Sequence, residues 1–193
     1  MHVKIREETA ETLAEYGAVS IAFEISRVFD VEPGEAAGER FVLRERVLGG
    51  PVAKDYDADP GNPPADWPAH FDVANWGFLS AWVGERRVGG AAIAFRSPSL
   101  EMLEGRNDLA VLWDIRIAPA ARGQGIGASL LAAAERWARE RGARWLKVET
   151  QNINVQACRF YARHGFVLTA ADPFAYAAYP EEIQLLWYKD LCQ

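Results

Sequence analysis

Apolar and polar residues alternate in several short runs along this chain of 193 residues, which is the pattern of strands with one buried face. Two of these runs, 76–83 and 88–95, are separated by the turn Gly-Glu-Arg-Arg, a spacing typical of a β-hairpin. The runs predicted as strands are 18–31, 41–47, 76–83, 88–95, 111–117, 145–150, 166–168 and 183–188.

Apolar residues recur at helical spacing in two other segments. In 123–141, apolar residues such as Ile126 and Leu130 follow a period close to 3.6 residues, and Gly142 is placed to end the helix. The second segment, 154–165, begins with an asparagine, a residue type that caps helices. Because strands come first and a β-α-β-α-β-β order follows, the sequence predicts a mixed α/β sheet.

Residues 49–72 contain five prolines and five aspartates and are predicted to form a long loop. Loops of this length are usually functional or mobile. The aspartates could surround a pocket for a polycation, although charges solvated on the surface of a loop explain them as well.

Composition argues against several classes of protein. A formal net charge of -6 disfavours binding to nucleic acid, which needs a basic surface, and favours a cationic partner. Cys158 and Cys192 form no CxxC pair and the histidines have no metal-ligand spacing, so we expect neither a metal site nor a disulfide framework.

The absence of a signal-peptide pattern and of a long apolar run predicts a soluble, cytoplasmic protein without membrane contact. The length favours one domain over 1–193.

The turn between the strand at 111–117 and the helix at 123–141 is rich in glycine. Gly123-x-Gly125-x-x-Ala128 formally matches the dinucleotide-binding fingerprint, with a strand before it and a helix after it. The context argues against that interpretation, because five residues separate the strand from the first glycine, where the fingerprint requires a tight turn. Too few residues also follow the later strands to complete a doubly wound sheet.

Counted from its arginine, the same turn reads Arg-x-x-Gly-x-Gly at 122–127. This spacing resembles the turn of the GNAT superfamily of acetyl-CoA-dependent N-acetyltransferases, and NVQACRFY at 154–161 resembles the second motif of that family. The likeness spans about 111–168, the predicted cofactor-binding core. The segments DIRIAP, KVETQNINVQACRFY and EIQLLWYKDL are similar to those of streptothricin and nourseothricin acetyltransferases. The resemblance implies one GNAT-type α/β (α+β) domain whose mixed, mostly antiparallel central sheet is flanked by helices.

A helix that starts behind a glycine-rich turn suits the diphosphate of acetyl-CoA. The first N–H groups of a helix lack partners within it, and glycines let the backbone approach a ligand closely. An arginine can add a charge-assisted contact with the diphosphate. The structural alternative is that the glycines only permit tight packing of the strand against the helix. The residues assigned to the cofactor on this basis are Arg122, Gly123, Gln124, Gly125, Ile126, Gly127 and Ala128. The resemblance adds Asn154, Phe160 and the backbone of Ile115, Arg116 and Ile117, which would pair with the pantetheine arm.

Acetyl transfer to an amine needs a base and an acid. A lysine-like amine has an ordinary pKa of about 10.4 and is mostly protonated at neutral pH, and the departing thiolate must regain a proton. Tyr161 is the candidate acid, because a phenol keeps its proton at neutral pH and can still donate it. GNAT enzymes commonly place a tyrosine acid at this position; a core tyrosine with its hydroxyl at the surface is the alternative.

The candidate bases are Asp114 and Glu149. Strict alternation places Asp114 on one face of its strand with Leu112 and Arg116, while Glu149 shares a face with Gln151. If the two strands are neighbours, as the resemblance implies, the carboxylates approach each other. Such a pair would bind a cation, and mutual repulsion would make one carboxylate the better base. Which of the two acts as the base stays open, and a solvated or arginine-paired carboxylate is the alternative for each.

The function predicted from the sequence is transfer of acetyl from acetyl-CoA to a primary amine of a small cationic molecule, with a streptothricin-class antibiotic as the first candidate. Other acceptors, such as a polyamine, an aminoglycoside or a protein N-terminus, stay open, as does an acyl-CoA-binding sensor without turnover. A homodimer is common among the relatives that the resemblance implies, and the sequence leaves the oligomeric state open.

Overall fold

The structure is a computed structural model that describes residues 2–34 and 40–192. Its strands are β1 (Lys4–Glu8), β2 (Phe23–Pro33), β3 (Phe41–Lys54), β4 (Gly77–Val83), β5 (Arg86–Ala94), β6 (Leu109–Ile117), β7 (Trp145–Gln151), β8 (Val167–Asp172) and β9 (Gln184–Asp190). Its α-helices are α1 (Leu13–Gly17), α2 (Trp67–His70), α3 (Ile126–Glu140) and α4 (Val155–Arg163). Within these ranges no helix has the length and apolar character needed to cross a membrane.

Seven strands form one sheet in the order β1-β4-β5-β6-β7-β9-β8, and β2 pairs with β3 in a separate sheet. The pairs β1–β4, β4–β5, β5–β6 and β8–β9 are all antiparallel. The predicted fold class is therefore confirmed: a mixed α/β architecture with a mostly antiparallel sheet and helices packed on it.

The contacts of the chain group it into two compact units. The first unit comprises Met1–Phe23, Asp55–Leu146 and Asp190–Gln193, and the second comprises Glu24–Lys54 and Lys147–Lys189. The glycine-rich turn and Asp114 belong to the first unit, whereas Glu149, Tyr161 and Asn154 belong to the second. The prediction of a single domain over 1–193 stays a prediction.

In the first unit, helices cover both faces of the sheet at β5. Gly89 and Gly90 are consecutive and therefore face opposite sides. A Cβ at Gly89 would lie 3.3 Å from Leu130 of α3, and a Cβ at Gly90 would lie 2.4 Å from the ring of Tyr16 of α1. The absence of both side chains lets α3 and α1 lie directly on the strand.

The amphipathic pattern predicted for α3 is confirmed. Ile126, Leu130, Leu131 and Ala134 are at most 1% exposed, and the helix packs against β4, β5 and β6. Burial of each of the larger side chains contributes about 1.5–3 kcal/mol relative to leaving it in water. Gly142, at a φ of +88°, follows the end of the helix as predicted.

An aromatic cluster fills the layer on the Tyr16 side. The ring of Trp76 lies 6.1 Å from Trp67, 5.8 Å from Phe71 and 5.5 Å from Trp113, measured between centroids. Trp67 and Trp76 are buried, whereas Phe71 and Trp113 are half-buried and keep part of their rings accessible. Aromatic pairs at these distances add about 0.5–1.5 kcal/mol each beyond burial.

A β-bulge at Trp113 corrects the alternation predicted for β6. Two consecutive residues of β5 pair with Leu112 and Asp114, so Trp113 has no partner on that strand. Cross-strand partners share a face, and Leu112 therefore lies on the face opposite Asp114, not on the same one. Asp114 and Arg116 do share a face, as predicted, because no bulge separates them.

In the second unit, Asn152 links three segments through its buried amide group. Its Nδ2 donates to the carbonyl oxygen of Phe29 in β2 at 3.0 Å, and its Oδ1 accepts from the N–H of Ile183 at 2.8 Å. The residue directly follows β7, and Ile183 directly precedes β9. The amide therefore fixes the end of the strand that carries Glu149.

Several parts of the predicted element pattern are wrong. The first predicted strand starts at Phe23 instead of 18. Residues 49–54, predicted as loop, continue β3, because pairing with β2 outweighs the weak strand propensity of Gly-Gly-Pro. Residues 55–72, also predicted as loop, contain 3-10 turns and α2. The strand β1 and the helix α1 were not predicted.

Replacing Gly90 by alanine tests how closely Tyr16 lies on the sheet. The added Cβ would be 2.4 Å from the ring of Tyr16 and 2.8 Å from the carbonyl oxygen of Leu79. We expect Gly90→Ala to lower the free energy of unfolding by about 1–3 kcal/mol, the usual cost of overpacking, as measured by urea denaturation. Gly50→Ala in β3 is the matched control, since nothing lies within 4 Å of its added Cβ. Equal losses in the two variants would contradict this interpretation.

Candidate active site

The glycine-rich turn connects β6 to α3 and is exposed from Arg122 to Gly125. The helix starts at Ile126, which is 1% exposed and anchors it. Its first backbone hydrogen bond runs from the N–H of Ser129 to the oxygen of Gly125, at 3.1 Å. The N–H groups of 126–128 therefore have no acceptor within the helix and can serve a bound anion.

The two glycines that precede the helix fit such a ligand. Gly123 and Gly125 have φ angles of +74° and +80°, which favour glycine over any other residue. A Cβ built on either would meet nothing within 4 Å, so the turn is open where a side chain would otherwise project. This open turn, together with the dipole of α3, suits the diphosphate of coenzyme A.

The guanidinium of Arg122 has a structural role that was not predicted. Its Nε donates to the carbonyl oxygen of Ile117 at 3.0 Å, and its Nη2 donates to that of Ala22 at 2.8 Å. These bonds tie the turn to the end of β6 and to the segment before β2. The contact of Arg122 with the cofactor stays a prediction.

Asp114 and Arg116 form a buried, bidentate ion pair on β6. Nε of Arg116 lies 3.0 Å from Oδ1 of Asp114, and Nη2 lies 2.8 Å from Oδ2. The side chains of Arg116 and Asp114 are 1% and 7% exposed. Breaking such a pair leaves an uncompensated buried charge, so the geometry is strongly held. Asp114 is therefore paired with an arginine, which was the structural alternative to its role as a base. Both of its carboxylate oxygens accept hydrogen bonds from Arg116.

Two further residues complete what we call the Arg116 cluster: Tyr16, Asp57, Asp114 and Arg116. Asp57 accepts from Nη1 and Nη2 of Arg116 at 2.7 and 3.1 Å. The hydroxyl of Tyr16 donates to Oδ1 of Asp114 at 2.5 Å, and the guanidinium also lies over the Tyr16 ring. Asp57 belongs to the segment whose aspartates could either surround a polycation pocket or be solvated, and it is instead an internal ion-pair partner.

The cluster shifts the pKa values of two of its members. Burial raises the pKa of Tyr16 well above its ordinary value of 10.0, and the negative charge of Asp114 raises it further. Burial alone would lower the pKa of Arg116, but the charge of Asp114 and the hydrogen bonds to Asp114 and Asp57 outweigh it and raise the pKa above the usual range. Tyr16 is therefore a neutral donor, and Arg116 is always charged.

Glu149, on β7 in the second unit, is held by neutral side chains. The hydroxyl of Tyr176 donates to Oε1 at 2.5 Å, and the amide of Gln184 donates to Oε2 at 2.7 Å. Nε2 of Gln151 is 3.4 Å from Oε1, in agreement with the shared face predicted for these two residues. Glu149 is half-buried. These three uncharged donors orient the carboxylate.

Helix α4 carries the predicted acid and the predicted cap. Oδ1 of Asn154 accepts from the N–H of Ala157 at 3.1 Å, which confirms its capping role. Tyr161 is 3% exposed, and its ring packs edge-on against Phe160 and Phe166, with centroids 5.3 Å apart in both pairs. The catalytic role of Tyr161 and the cofactor contacts of Asn154 and Phe160 stay predictions, as does an approach of Asp114 to Glu149.

Two tyrosines that contact the candidate carboxylates were not predicted from the sequence. Tyr16 is separated from Asp114 by 98 residues and Tyr176 from Glu149 by 27, so no local spacing connects them. Gln184 offered more of a signal, because it lies in the strand predicted over 183–188, but its pairing with Glu149 depends on the order of strands in the sheet.

The turn, the fold and comparison with known proteins together define the class of this protein. The model of the acetyltransferase (GNAT) family matches residues 51–166, more than half of the chain, and the chain belongs to that family. It is an acetyl-CoA-dependent N-acetyltransferase, as the turn predicted. Membership of this family replaces the dinucleotide-binding interpretation of the turn.

Among its relatives, the chain is 32% identical over 187 residues to streptothricin acetyltransferase from Escherichia coli, covering 95% of this chain and 92% of that protein. It is 42% identical over 84 residues to streptothricin acetyltransferase A from Bacillus subtilis (strain 168), covering 42% of this chain and about half of that protein. The crystal structure of nourseothricin acetyltransferase superposes with a TM-score of 0.76 at 26% identity, covering 99% of each chain. The predicted resemblance to this group is confirmed.

The raised pKa of Tyr16 predicts a loss of stability at high pH. An unfolded tyrosine loses its proton near pH ~10, whereas folded Tyr16 keeps its proton to higher pH. Above this pH the unfolded state therefore binds fewer protons than the folded state, and the free energy of unfolding falls as the pH rises further. We expect the free energy of unfolding to fall more steeply above pH ~10 in the wild type than in Tyr16→Phe, measured by urea denaturation across that range. Parallel curves for the two proteins would refute this.

Proposed function

We propose that this enzyme acetylates a primary amine of a streptothricin-class antibiotic. The observation that carries the proposal is the similarity, over 95% of the chain, to a protein named streptothricin acetyltransferase. Nourseothricin acetyltransferase shares the fold over the full length of the chain, which supports the same acceptor class.

The charge of the first unit supports a cationic acceptor. The Arg116 cluster contains two carboxylates and one guanidinium, and the Asp57 side chain is 21% exposed. The half-buried rings of Phe71 and Trp113 meet edge to face at 5.0 Å, and accessible aromatic faces attract cations. The formal net charge of -6 acts in the same direction at longer range.

Glu149 is the proposed base, and Asp114 is proposed to shape the acceptor side without taking the proton. Both oxygens of Asp114 are engaged by Arg116, which competes with any incoming ammonium. Glu149 is oriented by neutral donors, and a carboxylate oxygen has room for more than one hydrogen bond. It can therefore accept the proton of an amine, directly or through a water.

Tyr161 is the proposed acid. Acetyl-CoA supplies the acetyl thioester when it is bound. Tyr161 lies on a helix whose start is capped by Asn154, and its ring is fixed by Phe160 and Phe166. A phenol held in this way keeps its position while it returns a proton to a thiolate.

A covalent acetyl-cysteine intermediate receives no support from Cys158. Burial raises the pKa of this thiol to about 11, although the hydrogen bond with Thr150 partly counters the effect. The group is therefore a protonated thiol at neutral pH and a poor nucleophile. Direct attack of the amine on the thioester is the mechanism that the remaining residues favour.

An amine screen tests the acceptor. Purified protein is incubated with acetyl-CoA and streptothricin, a polyamine, an aminoglycoside or a short peptide with a free N-terminus, while free thiol is monitored. We expect thiol release with streptothricin, at a kcat/KM at least about tenfold above that of the other amines. Tight binding of coenzyme A without thiol release for any amine would instead favour a sensor, and preference for another amine would change the acceptor.

Replacing Tyr161 by phenylalanine tests the acid. We expect kcat to fall by roughly 10²-fold, a typical contribution of general acid catalysis, because the thiolate loses its proton donor. The affinity for coenzyme A, measured by calorimetry, should stay nearly unchanged, since the variant keeps the ring that packs against Phe160 and Phe166. Unchanged turnover would remove Tyr161 from the mechanism.

A further inference from the structure

We infer that Tyr176 is a positioning residue for acetyl transfer: its hydroxyl holds the carboxylate of Glu149 in the orientation that receives the amine proton. This inference rests on the proposed function and deepens it. Tyr176 comes from the segment 173–183 between β8 and β9, and it lies outside the motifs that carry the family resemblance.

The hydrogen bonds at Tyr176 have a fixed direction. The amide of Gln151 donates to the Tyr176 oxygen at 2.8 Å. The single proton of the phenol is then directed to Oε1 of Glu149, 2.5 Å away. Because Gln184 donates to the other oxygen, Oε2, the carboxylate is gripped on both sides and cannot rotate freely.

The exposure of the segment also points to a specific role for this side chain. Residues on either side of Tyr176 are exposed, and Phe174 is 90% exposed, yet Tyr176 itself is half-buried. The segment thus sends one aromatic side chain inward, onto the candidate base. Hydrogen bonds to an ionised carboxylate are among the stronger ones in proteins, so this contact can control its orientation.

A second anchor holds the segment independently of that hydroxyl. Nζ of Lys54 lies 2.7 Å from Oε1 of Glu182, with the two side chains 12% and 11% exposed. The same ammonium lies 3.7 Å from the centre of the Tyr179 ring. Removal of the Tyr176 hydroxyl should therefore leave the segment in place and change only the support of Glu149.

A double-mutant cycle tests the inference, with streptothricin as the acceptor and thiol release as the readout. The four proteins are the wild type, Tyr176→Phe, Glu149→Gln and the double variant. We expect Tyr176→Phe to lower kcat roughly tenfold, the effect of losing one hydrogen bond to a charged group, with the KM for acetyl-CoA unchanged. In the Glu149→Gln background the same replacement should change kcat by less than about twofold, because the group it supports is gone.

Tyr179→Phe is the matched control from the same segment, since phenylalanine keeps the ring that faces Lys54. Its kcat should equal that of the wild type, and thermal unfolding should give similar Tm values for all variants. The inference about Tyr176 alone would be overturned if Tyr176→Phe lowered kcat equally in the wild-type and Glu149→Gln backgrounds. It would also be overturned if the replacement did not lower kcat in the wild-type background. Unchanged turnover in Glu149→Gln would overturn the base assignment and the inference with it. No thiol release by the wild type with any amine would overturn the proposed function itself.

Discussion

Arg116 brings a full positive charge into the interior of the first unit, where it is 1% exposed, and such a charge must be paired to remain there. Asp114, on the same strand, and Asp57, from a separate segment, supply the pairing, and Tyr16 of α1 binds Asp114. The segments that carry Tyr16 and Asp57 are thereby fixed against β6.

The two candidate carboxylates illustrate how surroundings separate residues that look alike in a sequence. Asp114 is matched by a guanidinium, so its charge mainly serves the structure of its own unit. Glu149 accepts hydrogen bonds from the uncharged side chains of Tyr176 and Gln184, so these partners do not offset its charge. Alternation of polar and apolar residues places Arg116 on the same face as Asp114, but it does not reveal Tyr16, Tyr176 and Gln184, which come from other segments.

Much of the fold can be predicted from local pattern. Three features are each encoded by residues that are close together in the sequence: the hairpin of β4 and β5, the apolar face of α3 and the cap at Asn154. β1 is not, because KIREE is mostly charged and becomes a strand only through pairing with β4. The bulge at Trp113 likewise depends on the register with β5, and Tyr16 and Tyr176 reach their carboxylates over long separations in sequence. The family motifs pointed to the turn before α3, whereas the partners of the candidate carboxylates became visible only in the tertiary structure.

The open turn before α3 has an evolutionary consequence. The donors it offers are main-chain N–H groups, but the positive φ angles of Gly123 and Gly125 favour glycine, so this turn tolerates few substitutions. The residues proposed to serve the acceptor, Asp114 and Glu149, act through side chains on separate strands, and a single substitution can change either one. Selection on this scaffold can therefore alter the acceptor while leaving the acetyl donor unchanged.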